Sequence, residues 1–227
     1  MYKYKFIIFG LVTLALTGCA NLPHIYSGKA VHGWVVDAKN NEPIEGVIVV
    51  EIWELFGNQN IIYDEGDHNG NIHIAETLTD KKGHYEFSKW GPKFTMDGSM
   101  DESSPHLIFY KFGYDDVQLH NRVSGNPNRD NSVSEYTGKI IKLEKFNGTP
   151  EEYQIKLENL EYVLSLSSNR KGLKCSWAKM PKFTAEMIQL SRYFEKYRIS
   201  NGSFPPFESI PKSKCGDRDT ILKDYLK

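Results

Sequence analysis

Gly33-Trp-Val-Val-Asp37, then Glu42-Pro-Ile-Glu-Gly-Val47, then Thr77-Leu-Thr-Asp-Lys-Lys-Gly-His-Tyr-Glu-Phe87, then Leu107-Ile-Phe-Tyr-Lys-Phe-Gly-Tyr114 decide the fold of this 227-residue chain. Each couples a run of β-branched and aromatic residues to a turn. Working outward, strands are expected near 30–37, 46–54, 72–79, 84–89, 106–112, 115–120 and 138–143. Ile48, Val50 and Ile52 fall on one face of the second strand, and Val47, Val49 and Trp53 on the other. A strand apolar on both faces is central, or covered on its outer side.

The turns have explicit chemistry. Pro43 cannot donate to a ladder, and Gly46 is free to take positive φ. Asp80-Lys-Lys-Gly83 is a tight connection whose Asp can bond its own backbone two residues on.

The pattern G-x-V-x-D, P-(I/L)-x-G-(A/V)-x-V, T-D-x-x-G-x-Y-x-F and K-x-G-Y resembles the carboxypeptidase regulatory-like domain. It is carried by Gly33, Val35, Asp37, Pro43, Ile44, Gly46, Val47, Val49, Thr79, Asp80, Gly83, Tyr85, Phe87, Lys111, Gly113 and Tyr114. The resemblance implies a mainly β fold: a seven-stranded antiparallel, Ig-like or transthyretin-like β-sandwich. It covers residues 30–119 and implies no catalytic residue. The connections 55–71, 90–105 and 121–137 are longer than the pattern requires. If strands alternate in direction, these three fall at one end and the short turns at the other. Long loops on a rigid scaffold are a common place for binding, and surface insertions are also simply tolerated.

Lys3 and Lys5 precede an apolar run, Phe6–Leu16, that closes on Leu16-Thr17-Gly18-Cys19. This resembles a bacterial lipobox, which implies cleavage before Cys19, palmitate-type acylation there and attachment to a membrane. Ala20 and Asn21 lack the Asp that retains such chains at an inner membrane, so a cell-envelope address, outer membrane facing the periplasm, is expected. The organisation expected is therefore 1–18 signal peptide, 19–29 lipidated tether, 30–145 β-sandwich and 146–227 helical extension. With the lipobox taking Cys19, Cys175 and Cys215 form an even pair in an exported chain. A disulfide closing about 40 residues is worth about 3–4 kcal/mol in the chain-entropy model. Two buried thiols are the alternative. The formal net charge is −1, with no clustered basic stretch, and a nucleic-acid partner is not expected.

Beyond Phe146 the period changes. Thr149-Pro150-Glu151-Glu152 reads as an N-cap, a Pro at the first helical position and acids in the first turn. Tyr153, Leu157, Leu160 and Leu164 follow at helical spacing, predicting a helix over 150–167. A second is expected over 184–198, capped by Thr184 with Met187, Leu190, Phe194 and Tyr197 on its stripe. A short one is expected over 218–226.

Four constellations carry possible chemistry. Glu65, Asp67, Asn69 and Glu76 have the spacing of a Ca²⁺ loop, with Glu in place of Asp at its first position. Against it, 71–79 alternates like a strand. His68 and His73, with Asp64 and Asp67, form a transition-metal alternative. His73-Ile-Ala-Glu76 has the H-x-x-E spacing of zinc carboxypeptidases, but no His follows His120 to supply a third ligand. Trp53, Phe56, Trp90 and Phe94 form either a glycan- or peptide-binding platform or core packing. No nucleophile elbow, zincin motif or phosphate loop appears. The expectation is a lipid-anchored, non-enzymatic module with no required cofactor, binding an envelope protein or glycan. Ca²⁺ or metal binding through 65–76 is the alternative, and a hydrolase stands further off.

Overall fold

The computed structural model describes residues 24–56, 68–95, 99–123, 130–157, 160, 176–197, 199 and 216–226. The strands are β1 (His24–Gly28), β2 (Val31–Asp37), β3 (Ile48–Phe56), β4 (His68–Leu78), β5 (His84–Phe87), β6 (Trp90–Thr95), β7 (Ser99–Met100), β8 (His106–Tyr110), β9 (Val117–Leu119) and β10 (Lys139–Leu143). The helices are α1 (Pro150–Leu157), α2 (Ser176–Lys179), α3 (Pro181–Lys196) and α4 (Arg218–Leu222). All seven expected strands form. They make a sandwich of one sheet ordered β10-β2-β5 and another ordered β4-β3-β8-β9, with β7 added to β3. No described helix is long and apolar enough to cross a membrane.

β3 is central, paired antiparallel with β4 on one side and β8 on the other. Its two apolar faces serve two cores. Val47 and Val49 pack between the sheets with Val31, Val35, Phe87, Phe109 and Leu143. Ile48, Val50 and Ile52 face outward and are covered by the helices, against Trp177, Phe183 and Met187. Each such side chain contributes about 1.5–3 kcal/mol when fully buried. That burial gives the short helices a reason to stay docked. The alternating strand directions bring β10 alongside β2 in parallel, from Lys139 opposite Gly33 to Leu143 opposite Asp37. This pair departs from the all-antiparallel expectation.

Three strands lie where loops or a tether were expected. β1 occupies the stretch read as tether and pairs antiparallel with β6 in a separate two-stranded ribbon, while β7 pairs with Leu55 and Phe56 at the end of β3. Gly91-Pro92 reads locally as a turn, yet β6 pairs on one side only, where Pro is tolerated. Gly28 permits the closure: a Cβ there would lie 2.1 Å from Trp90 Nε1.

The first helix starts as its sequence prescribes. Thr149 N–H donates to the Glu152 carboxylate at 2.8 Å, and Glu152 N–H returns to Thr149 Oγ1 at 3.3 Å, a reciprocal capping box. The second long helix does not. It begins at Pro181 rather than 184, and its cap residue Met180 makes no side-chain capping bond. The Thr184 hydroxyl instead donates to the carbonyls of Met180 (2.9 Å) and Trp177 (3.1 Å). Met187, Leu190 and Phe194 are buried as expected, whereas Tyr197 at the C-terminal end is 54% exposed. The last helix is shorter than the expected 218–226.

Candidate functional site

Strand alternation sorts the connections. The residues that carry the family-like pattern build the short-turn end. Asp37 Oδ1 accepts the N–H of Lys39 at 2.9 Å, and Asp80 Oδ1 accepts those of Lys82 (2.8 Å) and His84 (2.9 Å). Thr79 Oγ1 accepts from Val47 N–H at 2.8 Å and donates to the Ile44 carbonyl at 2.6 Å. Gly83 has φ 70°, and a Cβ there would lie 2.3 Å from the Val35 carbonyl oxygen. These are turn-forming roles throughout.

The described parts of the three long connections meet at the other end. Asn121, 3% exposed, ties two of them together. Its amide donates to the carbonyls of Ser104 (2.6 Å) and Val133 (2.8 Å), and its Oδ1 accepts the N–H of Glu135 at 2.8 Å. Asn121 N–H also donates to the Ser103 carbonyl at 2.9 Å. The end of β3 joins the same knot, with Glu54 N–H on Ser104 Oγ at 3.0 Å and the Glu54 carbonyl accepting from Asp101 N–H at 2.9 Å. Lys29, leading into β2, pairs with Asp130 at 2.7 Å, and its N–H donates to the Ser132 carbonyl. The Lys29 and Ser132 bonds hold the Asp130 carboxyl down at about 2. Asn121 looked like one polar loop residue among many, and no sequence signal marked it.

The expected binding residues divide. Trp53 is fully buried and Trp90 nearly so, their rings edge-to-face at 5.4 Å. Trp90 also stacks on His73 at 4.9 Å, with Lys93 Nζ 5.3 Å from its centroid. These two indoles are packing. Phe94, by contrast, is 67% exposed. Phe56 is described at its backbone only, as the end of β3.

Of the Ca²⁺-loop set, Glu65 and Asp67 lie outside the described residues, as do Cys19, Cys175 and Cys215. Asn69 is in β4, its side chain outside the described set. Glu76 is also in β4, and its two carboxylate oxygens accept the N–H groups of Lys182 (2.8 Å) and Phe183 (3.1 Å) at the start of α3. His73 stacks on Trp90 while Glu76 turns to the helices. The H-x-x-E pair therefore stands on opposite faces of one sheet and cannot share a metal. Among the described residues, no group of three or more His, Cys, Asp or Glu could hold a metal ion.

Several titratable groups near this end are displaced from their ordinary behaviour, and burial is the first cause in each. Glu51, fully buried between the sheets, accepts from Trp53 Nε1 and is pushed up to about 7. Glu54 is raised to about 7 by burial and by Asp101. His106, stacked on His120 at 4.1 Å, is lowered to about 3 by burial and by its neighbour's charge. His73 is lowered to about 4 by burial, Lys93 and Lys179. Perturbed groups mark catalytic sites when they line a cleft. Here Glu51, Glu54 and His106 are all under one-tenth exposed.

No family model and no curated protein matches this chain. Among solved structures, 3-chlorocatechol 1,2-dioxygenase from Rhodococcus opacus 1CP is 14% identical, with 52% of this chain and 61% of that chain covered and a TM-score of 0.31. Catechol 1,2-dioxygenase from Acinetobacter radioresistens is 19% identical, covering 54% and 53%, with a TM-score of 0.32. The group B streptococcus pilus 2b backbone protein is 13% identical, covering 52% and 41%, with a TM-score of 0.28. The chain thus spans less than two thirds of each. Likenesses this faint carry no argument about activity.

Proposed function

We propose that this chain is a lipid-anchored module of the bacterial cell envelope, held through Cys19 at the outer membrane on its periplasmic side. It acts by binding rather than catalysis, offering its long-loop end to an envelope protein or glycan. The observation that carries the reading is the fastening of long connections around Asn121 and the Lys29–Asp130 pair. A scaffold that merely tolerates insertions has no need to stitch them together with a buried side chain. The regulatory-like pattern supports the same reading, because its residues serve turns and core. The Ca²⁺ alternative is weakened by Glu76, whose oxygens already cap α3. Within the tail, a Cys175–Cys215 disulfide is part of this proposal.

Photo-crosslinking in intact cells tests the reading, with probes at Asn60 and Val123 on two long connections and at Asn40 on the short-turn end. A shared adduct at the first two and none at Asn40 is expected. Equal labelling at all three would remove the binding end.

A further inference from the structure

We propose that the outward face of the β1–β6 ribbon, carrying Ile25 and Phe94, rests on the lipid bilayer and turns the long-loop end toward the membrane. The inference depends on lipidation at Cys19 and adds to it an orientation and a second point of contact.

The ribbon has two unlike faces. Ile25 stands opposite Phe94, and Tyr26 opposite Lys93. Successive residues alternate sides, so each pair owns one face. The Tyr26–Lys93 face is turned to the body: Lys93 Nζ donates to the Ile72 carbonyl at 2.7 Å and lies 3.3 Å from His73 Nδ1. The Ile25–Phe94 face is therefore turned away. Its two side chains are 60% and 67% exposed, an apolar cross-strand pair with no described cover.

The tether says what covers it. With residues 19–29 free, the anchor would reach roughly 35 Å and either end of the sandwich could face the bilayer. β1 takes up 24–28 and leaves five steps from Cys19 to His24, at most about 17 Å. His24 lies opposite Thr95 at the tip of the ribbon, a few residues before β7 returns to the end of β3. An anchored Cys19 thus holds the ribbon tip within that reach of the headgroups, on the side where β7 joins the end of β3. β2 alone carries the chain about 20 Å away, toward the turn at Asp37–Asn40. Acyl chains and exposed apolar side chains add in membrane binding, and a short leash brings this pair to the surface at high local concentration. A partner for the long loops is then one held at the same membrane.

The test uses the full chain expressed in a bacterium that processes lipoproteins, purified in detergent and returned to phosphatidylethanolamine–phosphatidylglycerol vesicles. Benzoylphenylalanine replaces Ile25 or Phe94 in turn, with Asn40 and the exposed Ile140 as controls. After illumination, flotation reports membrane attachment and mass spectrometry reports Cys19 acylation and any phospholipid adduct. Adducts several-fold above both controls at positions 25 and 94 are expected. Control-level adducts in protein that is acylated and floats would overturn the orientation alone, and capture of protein in place of lipid would do the same. Unmodified Cys19 without flotation would overturn the lipid-anchored reading and this inference with it.

Discussion

Glu76, near the C-terminal end of β4, caps a helix that begins more than 100 residues later: its carboxylate accepts the N–H groups of Lys182 at 2.8 Å and Phe183 at 3.1 Å. α3 has no side-chain cap of its own, and Pro181 at its first position brings no N–H. The strand supplies the acceptors that the first turn lacks, with a negative charge suited to the helix N-terminus. Glu76→Ala should lower stability by about 0.5–2 kcal/mol, the usual range for a lost N-cap. Glu76→Gln keeps one acceptor and should recover part of it. Urea denaturation of the three proteins, compared at one pH, checks this. An unchanged midpoint in Glu76→Ala would mean the contact adds nothing.

The same contact bears on Ca²⁺. A Ca²⁺ loop over 65–76 would need the Glu76 carboxylate as its bidentate ligand. Binding the ion would strip the cap from α3. Melting temperature should therefore be the same in EDTA and in excess Ca²⁺, since a ligand of the folded state raises it. A Ca²⁺-dependent rise lost in Glu76→Gln would show that the loop outcompetes the helix.

Asn121 holds the long-loop end by three side-chain hydrogen bonds to backbone groups, one across to Ser104 and two within its own connection at Val133 and Glu135. Asn121→Ala takes the amide donor from the buried Ser104 carbonyl, while the part-buried partners at Val133 and Glu135 can turn to water. The cost should be about 1–3 kcal/mol, set mainly by the buried carbonyl that loses its donor. Limited proteolysis should cut faster within 121–137 than elsewhere. Asn121→Asp should fare little better, because it removes the donors to both carbonyls.

Local chemistry made much of this fold legible. The turns at Asp37 and Asp80 are written in residues two or three apart, and the capping box at Thr149 and Glu152 spans one helical turn. The doubled apolar faces of β3 foretold two cores. What escaped depends on partners distant in sequence. β1 and β6 are short strands, one in a stretch without periodicity and the other broken by Gly91-Pro92, and each exists because of the other. Thr184 looked like a cap because the true acceptor lies on Glu76. At the candidate site the loops and their shared end were foreseeable from strand alternation, but Asn121 was not. Trp53 and Trp90 could be read in sequence either as a platform or as packing, because spacing along a strand does not tell how deeply an indole beside a long loop is buried.

Glu51 is the polar exception in β3: alternation puts it between Val49 and Trp53 on the inner face, where it is a fully buried carboxylate. Its Oε1 takes the Trp53 indole N–H, and its Oε2 has no hydrogen-bond partner among the described residues. Burial raises its pKa from the ordinary 4.5 to about 7. Between those values the folded chain keeps a proton that the unfolded chain gives up, so stability falls as pH rises through the window. Glu54 acts in the same sense. His106 and His73, lowered from 6.5 to about 3 and about 4, act in the opposite one: the unfolded chain takes up their protons first, and stability falls as pH drops below 6.5. The urea midpoint should be highest between pH 4.5 and 6.5 and lower at pH 8. Glu51→Gln removes one ionisable group while keeping an acceptor for Trp53. It should exceed the parent in stability at pH 8 by on the order of 2 kcal/mol and come close to it at pH 5. Parallel pH profiles for the two proteins would show that Glu51 is charged in the core, held there by interactions other than the Trp53 bond.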